Sequence, residues 1–244
     1  MSKLSNLLKD LKQQANPKKA KILMRFFKTG KGEYGEGDKF LGITVPEIRK
    51  LAKKYKDLNL TDLDKLIKNK YHEARLLSLI ILIEQYKKPF SNSARKVLAE
   101  KEKIYDFYLA HTKYINNWDL VDLSAHYIVG DYLLTSNSTR QGLVRLAKSD
   151  NLWERRIAMI STFAFIYKGE SEWTFKIARM LINDQEDLIH KACGWMLREV
   201  GKRVSEPQLR AFLDIYTTKM PRTMLRYAIE RLPEPKRKYY LNKK

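Results

Sequence analysis

One pattern runs through almost the whole chain: apolar residues recur every three to four positions, and alternating runs bounded by turn residues are essentially absent. A chain built this way folds as helices that each hide one stripe, so the predicted class is all-α. The spacing places helices at 2–14, 17–28, 45–56, 61–69, 72–87, 92–99, 102–113, 117–135, 139–149, 151–168, 171–183, 187–201, 205–217 and 220–232. Breaks are expected at Asn16-Pro17, Asp150-Asn151, Gly169 and Gly201. Five segments share a design, "YHEARLLSLIIL", "NNWDLVDLSAHYIV", "NLWERRIAMISTFAF", "DLIHKACGWMLREV" and "MPRTMLRYAIERL", each opening polar and turning apolar. Anchored on His72, Trp118, Trp153, Ile189 and Pro221, they follow one another at steps of 46, 35, 36 and 32 residues. That is the size of a two-helix unit which buries its apolar face only by stacking on its neighbours. The expectation is one helical-repeat domain over residues 1–244, an α-α superhelix with one long concave face.

Charge indicates what such a face would hold. Forty-eight Lys and Arg stand against twenty-eight Asp and Glu, for a formal net charge of +20. This balance suits a polyanion, bound by phosphate neutralisation and counterion release, and nucleic acid is the expected partner. A concave lining of Lys and Arg would wrap a duplex; the competing reading is a solvated basic surface with no dedicated ligand. From Arg198 onward thirteen basic residues face five acidic ones, so the tail "KRKYYLNKK" either extends the cradle or frays.

Several function classes lose their basis. The lone Cys193 excludes an internal disulfide and a multi-cysteine metal site, which fits a reducing compartment such as the cytoplasm. Leu4, Leu7, Leu8 and Leu11 have helical spacing, but Asp10 interrupts them and no apolar leader follows, so the N-terminus reads as a docking helix. The longest apolar run, "LLSLIILI" at 76–83, is far shorter than the roughly 20 residues a membrane span takes, and no membrane partner is expected. Gly30, Gly32 and Gly35 in "GKGEYG" match a dinucleotide fingerprint but follow a helical segment, so they read as a loop, with Lys28, Lys31 and Lys39 near it for phosphates. His72, His111, His126 and His190 are scattered, and "HEARL" lacks the second histidine of a zinc pair. No metal and no cofactor are expected. With no serine elbow, phosphate-binding loop or Cys-His pairing, carboxylate chemistry remains.

The carboxylates of interest are Asp119 and Asp122 in "NNWDLVDLSAH". Asp119 fits the first turn of a helix, where an acid interacts favourably with the helix dipole behind an Asn116 or Asn117 cap. Asp122 lies deeper, among Leu120, Val121 and Leu123, where an acid needs a partner or a purpose. Arg156, three residues after Trp153 on the apolar stripe of the next repeat, can supply a structural pair. A catalytic carboxylate fits equally well. Trp118 and Trp195 fall on the second helices of repeats; each can be core packing or an aromatic face for a cation, and Gly194 leaves room for something to approach.

Taken with "KFLGITVPEIRKL", "LWERRIAM", "CGWMLRE" and "MPRTMLRYAIERL", these segments resemble the AlkD-like family of bacterial DNA alkylation repair enzymes from about Asn16 to Arg231. The resemblance implies HEAT-like repeats with a basic concave face that holds duplex DNA. It implies Asp122 as catalytic aspartate, Trp118 and Trp195 beside the lesion, and Arg156 as helper. It places Phe26 where such enzymes often carry a tyrosine, and Arg49, Arg198 and Arg222 where phosphates are contacted. The expected activity is that of a monofunctional glycosylase. It would release cationic alkylpurines, chiefly 7-methylguanine and 3-methyladenine, from duplex DNA without base flipping, leaving an abasic site.

An N3- or N7-methylated purine is already a good leaving group, so no general acid is required. A fixed carboxylate would stabilise the oxocarbenium-like sugar and orient water. The expected protein is a monomer of the bacterial cytoplasm, associated with the nucleoid. Two alternatives remain at this level: a DNA-binding relative without activity, which Phe26 favours, and a protein-binding helical scaffold.

Overall fold

The computed structural model describes residues 2–88, 93–136 and 140–243. These are helical almost throughout, and the only β-type pairing among them is an isolated bridge between Lys39 and Tyr71. They form two compact units, Met1–Leu120 and Val121–Lys244.

In the first unit, α1 (Lys3–Gln13) starts at Ser2, whose hydroxyl accepts the Ser5 N–H at 3.1 Å. Its Leu7 and Leu11 are buried and the helix packs on α3 (Val45–Lys54). Asp10 accepts from Lys54 at 2.6 Å and from the Tyr55 hydroxyl at 2.7 Å, so the residue that breaks the leader pattern is a docking contact. Between them lies α2 (Pro17–Phe26), capped by Asn16 and opened by a proline, where the missing N–H costs nothing. α4 (Leu60–Ile67) and α3 both pack on α5 (His72–Lys87). The run "LLSLIILI" belongs to α5 and is buried over its full length, because a helix apolar all round can only be a central one.

α6 (Ala94–Ala110) replaces the two helices expected at 92–99 and 102–113, and residue 92 lies outside the described residues. The polar junction Lys101-Glu102-Lys103 looks like a linker in sequence, yet it holds no glycine or proline. Its residues are good helix formers, and Lys103 pairs back to Glu100 at 2.9 Å.

The second unit begins inside α7 (Trp118–Ala125), which runs through a π turn at His126–Gly130 into α8 (Asp131–Thr135). After it come α9 (Gln141–Ala147), α10 (Leu152–Ser161), α11 (Phe163–Tyr167), α12 (Glu172–Met180), α13 (Asp187–Arg203), α14 (Glu206–Tyr216), α15 (Arg222–Ile229) and α16 (Glu234–Asn242). Residue 139, expected to open the helix before α10, lies outside the described residues. α10 packs on α13 and α13 on α15, while α9, α12 and α14 flank them, a stacking of helix pairs. The helix expected over 151–168 is interrupted at Thr162, whose hydroxyl donates to the Met159 carbonyl at 2.7 Å and bends the chain.

Three sequence expectations change here. Gly201 does not end its helix: α13 continues to Arg203, and a Cβ at Gly201 would lie 2.4 Å from Leu209, so this glycine allows α14 to approach. Gly194 does leave room, but what enters is α15: a Cβ there would lie 2.5 Å from both the Met224 carbonyl and the Tyr227 Cβ. The tail forms α16 through Asn242 rather than a frayed end. In α16 the Tyr240 hydroxyl donates to Asp214 at 3.0 Å, and burial together with that carboxylate pushes its pKa up to about 12.

Candidate functional site

In the first unit a cluster of buried charges gathers at the start of α5. His72, at its first position, is 2% exposed and has a carboxylate on each ring nitrogen: Nδ1 lies 3.0 Å from Asp38 Oδ2 and Nε2 2.8 Å from Asp119 Oδ2. A neutral imidazole can donate from only one nitrogen, so two acceptor-only partners call for the imidazolium. Burial alone would lower its pKa; the two carboxylates outweigh that and raise it to about 9. Asp38 in turn is desolvated, yet His72 and Arg75 hold its carboxyl below the usual range, with Arg75 Nη2 at 2.7 Å. Glu73 is buried as well. Its oxygens accept the backbone N–H groups of Leu41 at 2.8 Å, Gly42 at 2.7 Å and Ile43 at 3.2 Å. "HEARL" thus carries buried charges that tie α5 to the loop before α3, where Phe40 stacks on the His72 ring at 4.5 Å.

Asp119 lies in the first turn of α7, as expected, but its larger role is to bind His72. Sequence reasoning does not find this pairing, because the partners are 47 residues apart. The available signal is that the chain spends a histidine, a glutamate and an arginine within four positions at the start of the helix that carries its longest apolar run.

Trp118, next to Asp119, is half-buried. Its ring lies 5.3 Å from Phe27 at 27° and 6.0 Å from Phe26 at 70°, and its Nε1–H donates to the Tyr34 hydroxyl at 3.2 Å. Phe26 is 61% exposed. Tyr34 belongs to the "GKGEYG" loop and is a neighbour of the candidate Trp118 that the spacing alone does not single out. That loop is no phosphate cradle at rest: Gly30 and Gly32 donate their N–H groups to Glu33 at 2.9 Å and Glu36 at 2.8 Å.

In the second unit Asp122 and Arg156 meet as a bidentate pair. Arg156 Nε donates to Oδ1 at 2.9 Å and Nη2 to Oδ2 at 2.8 Å, while Nη1 donates to the Leu188 carbonyl at the start of α13. Arg156 is buried; the Asp122 side chain keeps 17% of its surface exposed. The carboxylate is therefore fixed by the guanidinium and stays partly exposed. Trp195, half-buried on α13, packs against Phe163 with ring centres 5.9 Å apart. Cys193 beside it is fully buried, and desolvation pushes its thiol up, which makes it inert as a nucleophile.

The three arginines expected at phosphates differ. Arg49 stands exposed on α3. Arg198 is bound to Glu230 and lies 3.6 Å from Glu199, and Arg222 donates to the Leu241 carbonyl at 2.9 Å. Among the described residues no group of three or more His, Cys, Asp or Glu could hold a metal ion, and no helix is long and apolar enough to cross a membrane.

With this geometry in place, comparison with known proteins identifies related chains. The family model described as DNA alkylation repair enzyme matches residues 7–232. Among solved structures, a protein described as a predicted DNA alkylation repair enzyme from Enterococcus faecalis shares the fold at a TM-score of 0.63. It is 20% identical, over 91% of this chain and 98% of that one. No curated protein matches.

Proposed function

This chain belongs to the DNA alkylation repair enzyme family, and on that premise we propose that it is a monofunctional DNA glycosylase. It hydrolyses the N-glycosidic bond of cationic alkylated purines, 7-methylguanine and 3-methyladenine, in duplex DNA, without base flipping, and leaves an abasic site. The observation that carries this reading is the Asp122–Arg156 pair: an anion held by two hydrogen bonds from a buried guanidinium, with part of its own surface exposed.

Alkylation at N3 or N7 puts a positive charge on the base, so the bond to the sugar breaks without a proton being delivered. As it breaks, positive charge develops on the deoxyribose. Asp122 stabilises that charge and accepts a hydrogen bond from the attacking water. Arg156 holds the carboxylate in place through its two hydrogen bonds. The ring faces of Trp118 and Trp195 favour the cationic nucleotide, more strongly as the sugar charges. Arg49, Arg198 and Arg222 contact phosphates. The basic surplus supplies the rest of the attraction to duplex DNA.

Phe26 supports one other reading, a DNA-binding relative without activity, because its ring carries no hydroxyl for the lesion. Incubating the protein with methylated duplex DNA and quantifying free bases against a heat-depurination blank separates the two. Release of 7-methylguanine and 3-methyladenine above the blank is expected. Duplex binding with no release contradicts the glycosylase reading.

A further inference from the structure

In the second unit α11 places Phe163 and Tyr167 four residues apart on one helical face, with ring centres 4.5 Å from each other. Phe163 also links two residues of α13. Its ring centre lies 5.9 Å from that of Trp195 and 5.5 Å from the guanidinium carbon of Arg203. The same guanidinium lies 4.8 Å from the centre of the Tyr167 ring, which is 56% exposed. Arg203 Nε donates to Glu199 Oε2 at 2.7 Å, and the buried Glu199 lies 3.6 Å from Arg198 as well.

An arginine on an open surface loses much side-chain freedom when it captures a ligand. Here the aromatic contacts set the plane of the guanidinium and the buried carboxylate sets its rotation, so that loss is taken on folding. Nη1 and Nη2 make no hydrogen bond among the described residues, and 34% of the side chain stays exposed. Donors fixed in one plane suit an oxyanion, phosphate above all. Glu199 does not cancel the site. Lys168 and Lys202, the neighbours of Tyr167 and Arg203 in the chain, are exposed and unpaired among the described residues. With Arg198 and Arg203 they face Glu199 and Glu230, a surplus of two positive charges.

We propose that Arg203, oriented by Tyr167 and Glu199, is a clamp for one phosphate of the DNA backbone. Eight residues of α13 separate it from Trp195, about 12 Å along the helix axis. That is three to four nucleotide rises of about 3.4 Å, so one duplex reaches both residues. The inference rests on the duplex partner of the proposed function and deepens it. It involves neither Asp122 nor Arg156 and adds no step to the reaction.

The probe is a duplex carrying a single tetrahydrofuran abasic analogue, which cannot be turned over, titrated by fluorescence anisotropy between 50 and 200 mM salt. Arg203→Gln should weaken binding at least about fivefold at low salt and make the slope of log affinity against log salt shallower by about 0.9, one phosphate's worth. Tyr167→Leu keeps the charge and removes the exposed ring, so affinity should fall about two- to threefold with the slope retained. Lys238→Gln also removes one cation, from an exposed position on α16 paired to Glu234, and should change affinity by less than about twofold. Neutral methylphosphonates placed one at a time within about five nucleotides of the analogue locate the contact. At one position the wild type should lose at least about fivefold and Arg203→Gln less than about twofold. An unchanged salt slope in Arg203→Gln, or the same loss in both proteins at every position, would overturn the clamp and leave the glycosylase reading standing. No duplex binding by the wild type at 50 mM salt would overturn both.

Discussion

His72 concentrates the residue-scale physics of the first unit. A group whose folded pKa of about 9 exceeds its ordinary 6.5 adds stability that is fully present below about pH 6.5 and is lost as pH rises through 9. The full contribution is on the order of 3 kcal/mol. Chemical unfolding of wild type and His72→Gln at pH 6 and pH 9.5 should therefore give a stability gap that is large at the lower pH and mostly gone at the higher. A gap independent of pH would mean that the imidazolium is not what the two carboxylates hold. The same residue shows where a linear reading stops. The rarity of a buried charge is visible in "HEARL", but its partners Asp38 and Asp119 are 34 and 47 residues away and no local pattern announces them. Asp122 and Arg156 are legible because both sit near the starts of successive repeat helices, so the stacking that buries one helix on the next also brings them together.

At the scale of elements, helix existence was written in the apolar period, while helix ends depended on glycines whose meaning is tertiary. Gly194 and Gly201 look alike in sequence and differ in what they face. A Cβ at Gly194 meets the backbone of α15, which cannot move aside, so Gly194→Ala should destabilise by about 1–3 kcal/mol. At Gly201 the close contact is the end of the Leu209 side chain, which can rotate away. The gain of about 1 kcal/mol for alanine over glycine within a helix should then offset most of the cost. Thermal unfolding of the two variants checks this, and a larger loss for Gly201→Ala would contradict it. α16 was illegible for a related reason: its sequence is polar enough to fray, and it is held by scattered long-range contacts, from Tyr240 to Asp214, from Lys236 to Glu206 and from Arg222 to the Leu241 carbonyl. The π turn after α7 likewise has no signature in the apolar period, which passes through it unbroken.

For the whole molecule the surplus of twenty positive charges outweighs every local electrostatic feature. If it serves duplex binding, raising salt from 50 to 200 mM should weaken affinity by roughly 10³-fold or more, as counterion release requires. Removing the carboxylate that occupies Arg198, in Glu230→Gln, should tighten binding by about two- to fivefold at low salt. Unchanged affinity would show that Arg198 contacts no phosphate. Composition makes this attraction legible at once, but it says nothing about catalysis, which in the proposed function rests on one carboxylate. The direct measurement is the single-turnover rate of 7-methylguanine release from methylated duplex DNA by wild type and Asp122→Asn, with duplex affinity measured alongside. If Asp122 stabilises the charged sugar, the variant's rate is lower by at least about 10²-fold at nearly unchanged affinity. Release by Asp122→Asn at the wild-type rate would contradict that role.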